Sequence, residues 1–334
     1  MKKMLKRKVF LLLILILVGL NVVLYTPQGV YAAFKDNGWG TRSAGMGGAF
    51  CGVADDASSP LWNPAGLAQM KYPEANFMYS RLYTGLDGVD LGLNYFSYVL
   101  PVSGVGAFGI GRAGLISTNL YREETYTFTY ASKINNYSPR LIPELYLGLN
   151  LKCLSHGYTL DEYSRGDPVF AKGRSKANFT FDIGLLTKPN LPRFSGLSIG
   201  MCVENITTPD VGLKNRDRVP LEARVGFAYR LKGFRILKRI VVRDVTPALD
   251  FTYRFQDWGR LEDKLNVHLG LEGWFIDRLL GLRMGGNTRE VTFGFSFNKA
   301  LARYFGIQLD YAFIFPLEIV ETYGSHRISL TVRF

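Results

Sequence analysis

The strongest constraint in this chain is an alternation of bulky apolar residues with small or charged ones, repeated from about residue 75 to the end. In Val291–Asn298, Val291, Phe293, Phe295 and Phe297 take one side, and Thr292, Gly294, Ser296 and Asn298 take the other. Leu221, Val225, Phe227, Tyr229 and Leu231 stand against Glu222, Arg224, Gly226, Ala228 and Arg230. Leu249, Phe251, Tyr253 and Phe255 alternate with Asp250, Thr252 and Arg254. Leu265, Val267, Leu269 and Leu271 alternate with Asn266, His268, Gly270 and Glu272. Phe305, Ile307, Leu309, Tyr311 and Phe313 alternate with Gly306, Gln308, Asp310 and Ala312. The last residues repeat the pattern, with Ile328, Leu330, Val332 and Phe334 against Arg327, Ser329, Thr331 and Arg333. Side chains of a strand point alternately to its two faces, so each segment reads as a strand with one greasy wall.

A half-buried strand of a soluble sandwich also alternates. Here, however, the apolar side is bulky throughout, while the other side is Gly-rich and carries charges of both signs. A water-facing surface gains nothing from glycine. A lumen needs small residues to fit and paired charges to satisfy one another. In hydrocarbon, only a closed sheet satisfies every backbone group. The expectation is an all-β chain, a transmembrane antiparallel β-barrel of about 14 strands, each near the ~9–11 residues a tilted spanning strand needs. The candidates are 75–84, 89–100, 105–117, 122–132, 144–156, 177–187, 196–206, 219–231, 246–255, 263–275, 278–286, 289–298, 303–314 and 324–334. An even number puts both ends of the barrel in the periplasm. Pro101–Gly104, Ile276–Asp277 and Asn298–Ala302 then become short periplasmic turns, and 157–176 and 207–218 extracellular loops. Lys232–Val245 becomes a long basic periplasmic connection, either a solvated loop or a short amphipathic helix at the membrane surface.

The formal charge is +12, which invites a nucleic-acid reading. Five of those charges are Lys2, Lys3, Lys6, Arg7 and Lys8, and removing them leaves +7. They precede an apolar run from Val9 to Leu20 and a small-residue site at Val30–Tyr31–Ala32, the layout of an export signal over residues 1–32. No Cys stands at the expected cleavage point, which argues against a lipoprotein. Cys51, Cys153 and Cys202 are too few and too scattered for a disulfide framework or a metal site, although one disulfide stays open in an oxidising compartment.

Residues 33–72 form a separate unit, rich in Gly, Ala, Asp and Pro and without alternation. Its small residues permit the tight packing that a plug inside a lumen requires. Asn63 before Pro64 suits an N-cap with Pro at the first helical position. Asp55 and Asp56 suit a helix start or pairing with luminal Arg. Gly45–Gly48 fails as a phosphate loop, since no Gly-Lys-Ser/Thr follows. The Asp pair has no partner at metal-ligand spacing. Ser325 and His326 are adjacent but lack an orienting third group, so no catalytic triad emerges. No catalytic residue, metal or cofactor is implied, and no nucleic-acid partner.

The run Thr41–Arg42–Ser43–Ala44–Gly45–Met46–Gly47–Gly48–Ala49–Phe50, with Ala54–Asp55–Asp56–Ala57 and Trp62–Asn63–Pro64–Ala65–Gly66–Leu67, resembles the start of the FadL-like outer-membrane superfamily. That group includes long-chain fatty-acid transporters and the PorV/PorQ proteins of type IX secretion. The resemblance implies a 14-stranded barrel over residues 73–334 in the cell outer membrane, plugged by an N-terminal hatch over 33–72. Arg42, Gly45, Gly47, Gly48, Asp55, Asp56, Asn63, Pro64 and Ala65 would carry the hatch motif. The ending Ile328, Leu330, Val332 and Phe334 resembles the signal read by the barrel assembly machinery. Fatty-acid transporters carry long hydrophobic capture loops, whereas segment 157–176 is polar and compact, holding Asp161, Glu162, Arg165, Asp167, Lys172, Arg174 and Lys176. In economy the chain looks closer to the PorV/PorQ branch. The implied partners are outer-membrane lipid and either hydrophobic small molecules or secreted proteins. Passive transport of small hydrophobic molecules is the first functional expectation, and a secretion or surface-attachment component is the second.

Overall fold

The computed structural model describes residues 34, 38–118, 120–134, 144–171, 173–189, 194–237, 240–255, 264–302, 305–319 and 321–334. The expected export signal, residues 1–32, lies outside them, as does Lys172.

Fifteen strands form one antiparallel sheet. They are β1 (Glu74–Leu82), β2 (Leu91–Val102), β3 (Gly106–Ser117), β4 (Tyr121–Lys133), β5 (Leu145–Tyr158), β6 (Ser175–Thr187), β7 (Leu197–Glu204) and β8 (Leu221–Tyr229). Then follow β9 (Leu231–Leu237), β10 (Ile240–Phe255), β11 (Leu265–Phe275), β12 (Leu280–Asn287), β13 (Glu290–Ala300), β14 (Gly306–Pro316) and β15 (Ser325–Arg333). β8 and β9 are one wall interrupted at Arg230. Both pair with β10, and the register carries across the break, Ala228 opposite Ala248 and Leu231 opposite Val245, with one slip farther on between Ile240 and Val241. The wall therefore has fourteen staves, and β1 pairs with β15 from Glu74–Arg333 to Arg81–His326, so the sheet closes. Closure removes the two open edges that a flat sheet would leave unpaired.

The alternation maps onto the two faces as the sequence implies. Phe293, Phe295 and Phe297 are 48%, 49% and 46% exposed on the outside, while Thr292 and Ser296 between them are fully buried inside. On β15, Ile328 and Leu330 point outward, and Arg327, Ser329 and Thr331 are buried on the inner face. An outer surface of Phe, Leu, Ile and Met running from stave to stave matches hydrocarbon and not water.

Two expectations need correction. Within the expected connection at 232–245, the described residues 232–237 and 240–245 are strand, not loop or helix. β9 and the first half of β10 extend the wall as a hairpin, with a bulge at Arg243 where β10 slips one residue against β11. That bulge, together with Gly233, hides the period-two pattern. The second is the expectation, drawn from the alternation alone, that an arginine is better tolerated at lumen-facing Ser296 than at lipid-facing Phe295. Ser296 faces inward, but it is enclosed by Arg283 and Asp310, so an arginine there has no space.

The short turns β2–β3, β11–β12 and β13–β14 lie at the end of the barrel where β1 begins and β15 finishes. The β11–β12 turn holds Ile276, Asp277 and Arg278 all at positive φ. At the opposite end, residues 205–220 fold inward. Val211 and Val219 are completely buried against Leu154 of the inner wall, and the Val211 carbonyl lies 2.6 Å from His156 Nε2.

Candidate functional site: the lumen and the segment that crosses it

Residues 38–72 do not join the sheet. They run through the lumen and touch the inner wall on opposite sides. A short helix, α1 (Thr41–Gly45), packs on β12–β15, and a 3-10 helix at Pro64–Gln69 packs on β2–β6. The contacts are close because glycine faces glycine. A Cβ on Gly45 would sit 3.3 Å from Gly294 Cα, and one on Gly47 would sit 2.2 Å from the Gly286 amide nitrogen. Gly47 and Gly48 also hold φ of +64° and +82°, a region that strains any residue with a side chain. Their bend turns the chain from α1 toward β8 and β10.

Arg42 anchors the bend. Its Nε and Nη2 donate to the two Glu272 oxygens, both at 2.7 Å, and Nη1 donates to Asp55 at 2.6 Å and Asp56 at 3.0 Å. Asp55 also accepts from Arg230 at 3.0 Å. Glu272 accepts from Arg283 Nε at 2.7 Å, and Arg283 reaches Ser296 and Asp310. The ionic chain thus runs from the crossing segment into β11, β12, β13 and β14. Burial pushes the Asp55 carboxyl up, but Arg42 and Arg230 more than offset it and leave its pKa below the ordinary value. Burial also works against the Arg42 guanidinium, and Asp55, Glu272 and Asp56 override it and hold its pKa well above normal. Both partners are charged at neutral pH, and neither carboxylate of the Asp55–Asp56 pair is set up to bind a metal. Among the described residues no cluster of ligating side chains occurs.

Two further anchors hold the rest of the segment. Asp250 of β10, fully buried, accepts from the backbone N–H groups of Phe50 at 2.9 Å and Cys51 at 2.7 Å. Asn63 caps the 3-10 helix through Oδ1, which accepts from the Ala65 amide at 3.1 Å, while its Nδ2 donates to the Leu185 carbonyl of β6 at 3.0 Å. Pro64 occupies the first helical position, where the missing N–H costs nothing. Wall glycines make room for this anchor: a Cβ on Gly148 would sit 2.2 Å from Pro64, and one on Gly184 2.2 Å from Asn63 Oδ1. Trp62 is buried, with the Arg224 guanidinium 4.6 Å from its ring centre. Cys51, Cys153 and Cys202 are free thiols, and burial pushes the Cys51 thiol well up, away from reactivity.

Of the nine expected motif residues, eight lie directly against or bond to the wall: Arg42, Gly45, Gly47, Gly48, Asp55, Asn63, Pro64 and Ala65. Gly48 and Asp56 support the bend, and Ala65 receives the cap. Sequence reasoning placed Asp250, Glu272 and Asp310 on the inward face but could not pair them with this segment; it named Trp62 only within the resembling motif, and it missed Arg283. Ile328, Leu330 and Phe334 lie on the outer surface of the closing stave, and the Phe334 amide donates to the Pro73 carbonyl at 2.9 Å. Ser325 and His326 point to opposite faces: Ser325 Oγ accepts from the Tyr83 amide inside, while His326 lies 2.7 Å from the Tyr311 hydroxyl outside. Adjacent strand residues cannot act on one substrate.

The segment separates two cavities. A polar vestibule of about 350 Å³ opens at the loop end, lined by groups such as Arg254, His268, Asn287 and Arg327. A cavity of about 530 Å³ opens at the other end beneath Gly52 and Val53.

No family model matches the chain, and no curated protein matches it in sequence. Solved structures do. A FadL homologue of Pseudomonas aeruginosa superposes with a TM-score of 0.53 at 13% identity, covering 91% of this chain and 99% of the other. The deltaS2 mutant of TodX, a monoaromatic hydrocarbon channel, gives 0.54 at 12% identity over 90% and 98%. The toluene transporter TbuX of Ralstonia pickettii gives 0.50 at 11% over 89% and 97%. At these identities the likeness is one of fold. The chain has the architecture of the FadL-type outer-membrane barrels: fourteen antiparallel staves preceded by a short N-terminal segment.

Proposed function

We propose that this protein is an outer-membrane conduit for small hydrophobic molecules, with residues 33–72 as its hatch, delivered there after removal of residues 1–32. The observation that carries this reading is the crossing segment. It fills the lumen of a barrel with an apolar outer wall, yet ion pairs, caps and glycine contacts hold it, with no covalent link and no share in the sheet. A segment held in this way can shift while the wall stays closed. Similarity of fold to channels described as carrying monoaromatic hydrocarbon and toluene supports the ligand class. Ile328, Leu330, Val332 and Phe334 would serve as the assembly signal. The test compares uptake of radiolabelled toluene and of a long-chain fatty acid in cells with and without the gene. Faster uptake of at least one in the presence of the gene is expected, and equal uptake of both would overturn the proposal.

A second reading has its own support. The loops at the presumed outer face are compact and charged, including Asp161, Glu162, Arg165 and Asp167, and the vestibule is polar. That suits a PorV/PorQ-like role in protein secretion or attachment. Cross-linking on intact cells discriminates the two: recovery of a specific exported protein favours the second reading, and its absence alongside gene-dependent uptake favours the first.

A further inference from the structure

The cavity of about 530 Å³ at the short-turn end of the lumen, where β1 begins and β15 finishes, is not accounted for by the hatch or the wall. It brings together two cations and four hydroxyl-bearing residues. Lys188, just after β6, is half-buried, lies 5.9 Å from the centre of the Tyr146 ring and makes no ion pair among the described residues. Burial holds its ammonium pKa below the ordinary value. Arg230 gives one nitrogen to Asp55, and its side chain remains 47% exposed toward the cavity. Ser198 is 8% exposed, and its Oγ has no hydrogen-bond partner. Ser195, Thr246, Tyr229 and Gln69 add further polar groups to the lining. The one carboxylate on the lining, Asp244, is held by Arg278 at 3.5 Å.

Asp55 and Glu144 act on the Lys188 ammonium only from a distance and do not offset its burial, so an ammonium with no ion pair and a buried hydroxyl with no bond both cost free energy that an oxyanion ligand would recover. The number of donors fits a tetrahedral phosphate better than a planar carboxylate, because phosphate offers three or more acceptor oxygens. The volume is that of a pocket for an organic molecule and far exceeds a free oxyanion. Val53, Leu197, Ala228 and Leu231 give the remaining lining an apolar character. We infer that this cavity binds the phosphate group of an amphiphile, with Lys188 and Arg230 as its cationic clamp and Ser198 as a buried donor. Because Arg230 also holds Asp55, and Asp55 holds Arg42, an occupant here draws on the same guanidinium that steadies the hatch.

The experiment is direct binding to the full-length mature protein in a nonionic maltoside detergent, followed by calorimetry. Dodecyl phosphate, dodecanoate and inorganic phosphate are the probes. Dodecyl phosphate is expected to bind most tightly. Lys188→Gln is expected to weaken it roughly tenfold to a hundredfold, as loss of a charge-assisted hydrogen bond does, and Ser198→Ala is expected to weaken it less. Heat-modifiable migration of each variant confirms that the barrel is intact. Equal affinity of the wild type and Lys188→Gln would overturn the site. Inorganic phosphate binding as tightly as dodecyl phosphate would overturn the amphiphile, and tighter dodecanoate would overturn the phosphate. Binding is read without transport, so these outcomes stand apart from any result on uptake.

Discussion

Replacing Arg42 with alanine tests whether the hatch is a separately held element. Arg42 is 8% exposed and donates to three carboxylates, so its removal leaves Asp56 without its guanidinium and Glu272 and Asp55 with only Arg283 and Arg230. Removing one partner of a buried ion pair costs about 3–5 kcal/mol. The surviving arginines favour the lower end, about 3 kcal/mol, which raises the open population of the segment by roughly a hundredfold. The wall should not respond, since no strand pairing involves residues 38–72. Hydrogen exchange followed by mass spectrometry reads both quantities at once. Peptides over 41–56 should exchange about a hundredfold faster in Arg42→Ala, while peptides over β2–β5 keep wild-type protection. Arg42→Lys keeps the charge but loses the two-pronged grip on Glu272, and should fall between. If 41–56 exchanges alike in Arg42→Ala and wild type, or if the strands lose protection together with it, the reasoning is wrong.

Other consequences follow from the two faces and the fitted lumen. Phe295→Arg should destabilise the barrel by roughly 2–4 kcal/mol in refolding titrations into lipid vesicles, the cost of arginine near the midplane. Ser296→Arg should be at least as damaging in the same titration, for want of space between Arg283 and Asp310. Gly148→Val should expel the Asn63–Pro64 anchor, whose backbone would meet even a bare Cβ at 2.2 Å, and limited proteolysis should then cut within 60–70 while the barrel stays intact. Asp55 has a lowered folded pKa, so its contribution is fully present above its unfolded value of about 3.9 and is lost as pH falls through the folded value. Protection of 41–56 should therefore be level from neutral pH down to about 5 and fall only below about 4.

The wall was legible because the side-chain period of a strand is two and one side had to face hydrocarbon. Phe293, Phe295 and Phe297 reveal their face from their two-residue spacing alone. The register was not legible. Alternation says that Glu272, Asp250 and Asp310 look inward, but not at what height, and a partner such as Arg42 lies 230 residues away from Glu272 in sequence. Arg283 escaped because β12 is short and ends in Met284, Gly285, Gly286 and Asn287, which breaks the alternation. The β9–β10 hairpin escaped because the bulge at Arg243 shifts the pattern by one residue within a basic stretch. Within the hatch the small residues announced close packing, and Asn63–Pro64 announced a capped turn. That Gly148, Gly184, Gly200, Gly226, Gly270 and Gly285 sit opposite residues of the crossing segment is a fact of three dimensions only.

The central claim is that residues 38–72 cross the lumen against the inner wall. A variant with Cys51, Cys153 and Cys202 replaced by serine, and with Gly45→Cys and Gly294→Cys added, measures it in native membranes, since the Gly45 Cβ position lies 3.3 Å from Gly294 Cα. Mild oxidation should join the pair and change its migration on a denaturing gel, while Gly45→Cys with Phe293→Cys, one residue along but on the outer face, stays unlinked. Failure of the first pair to link in a folded barrel, or linking of both pairs to the same extent, would contradict the account.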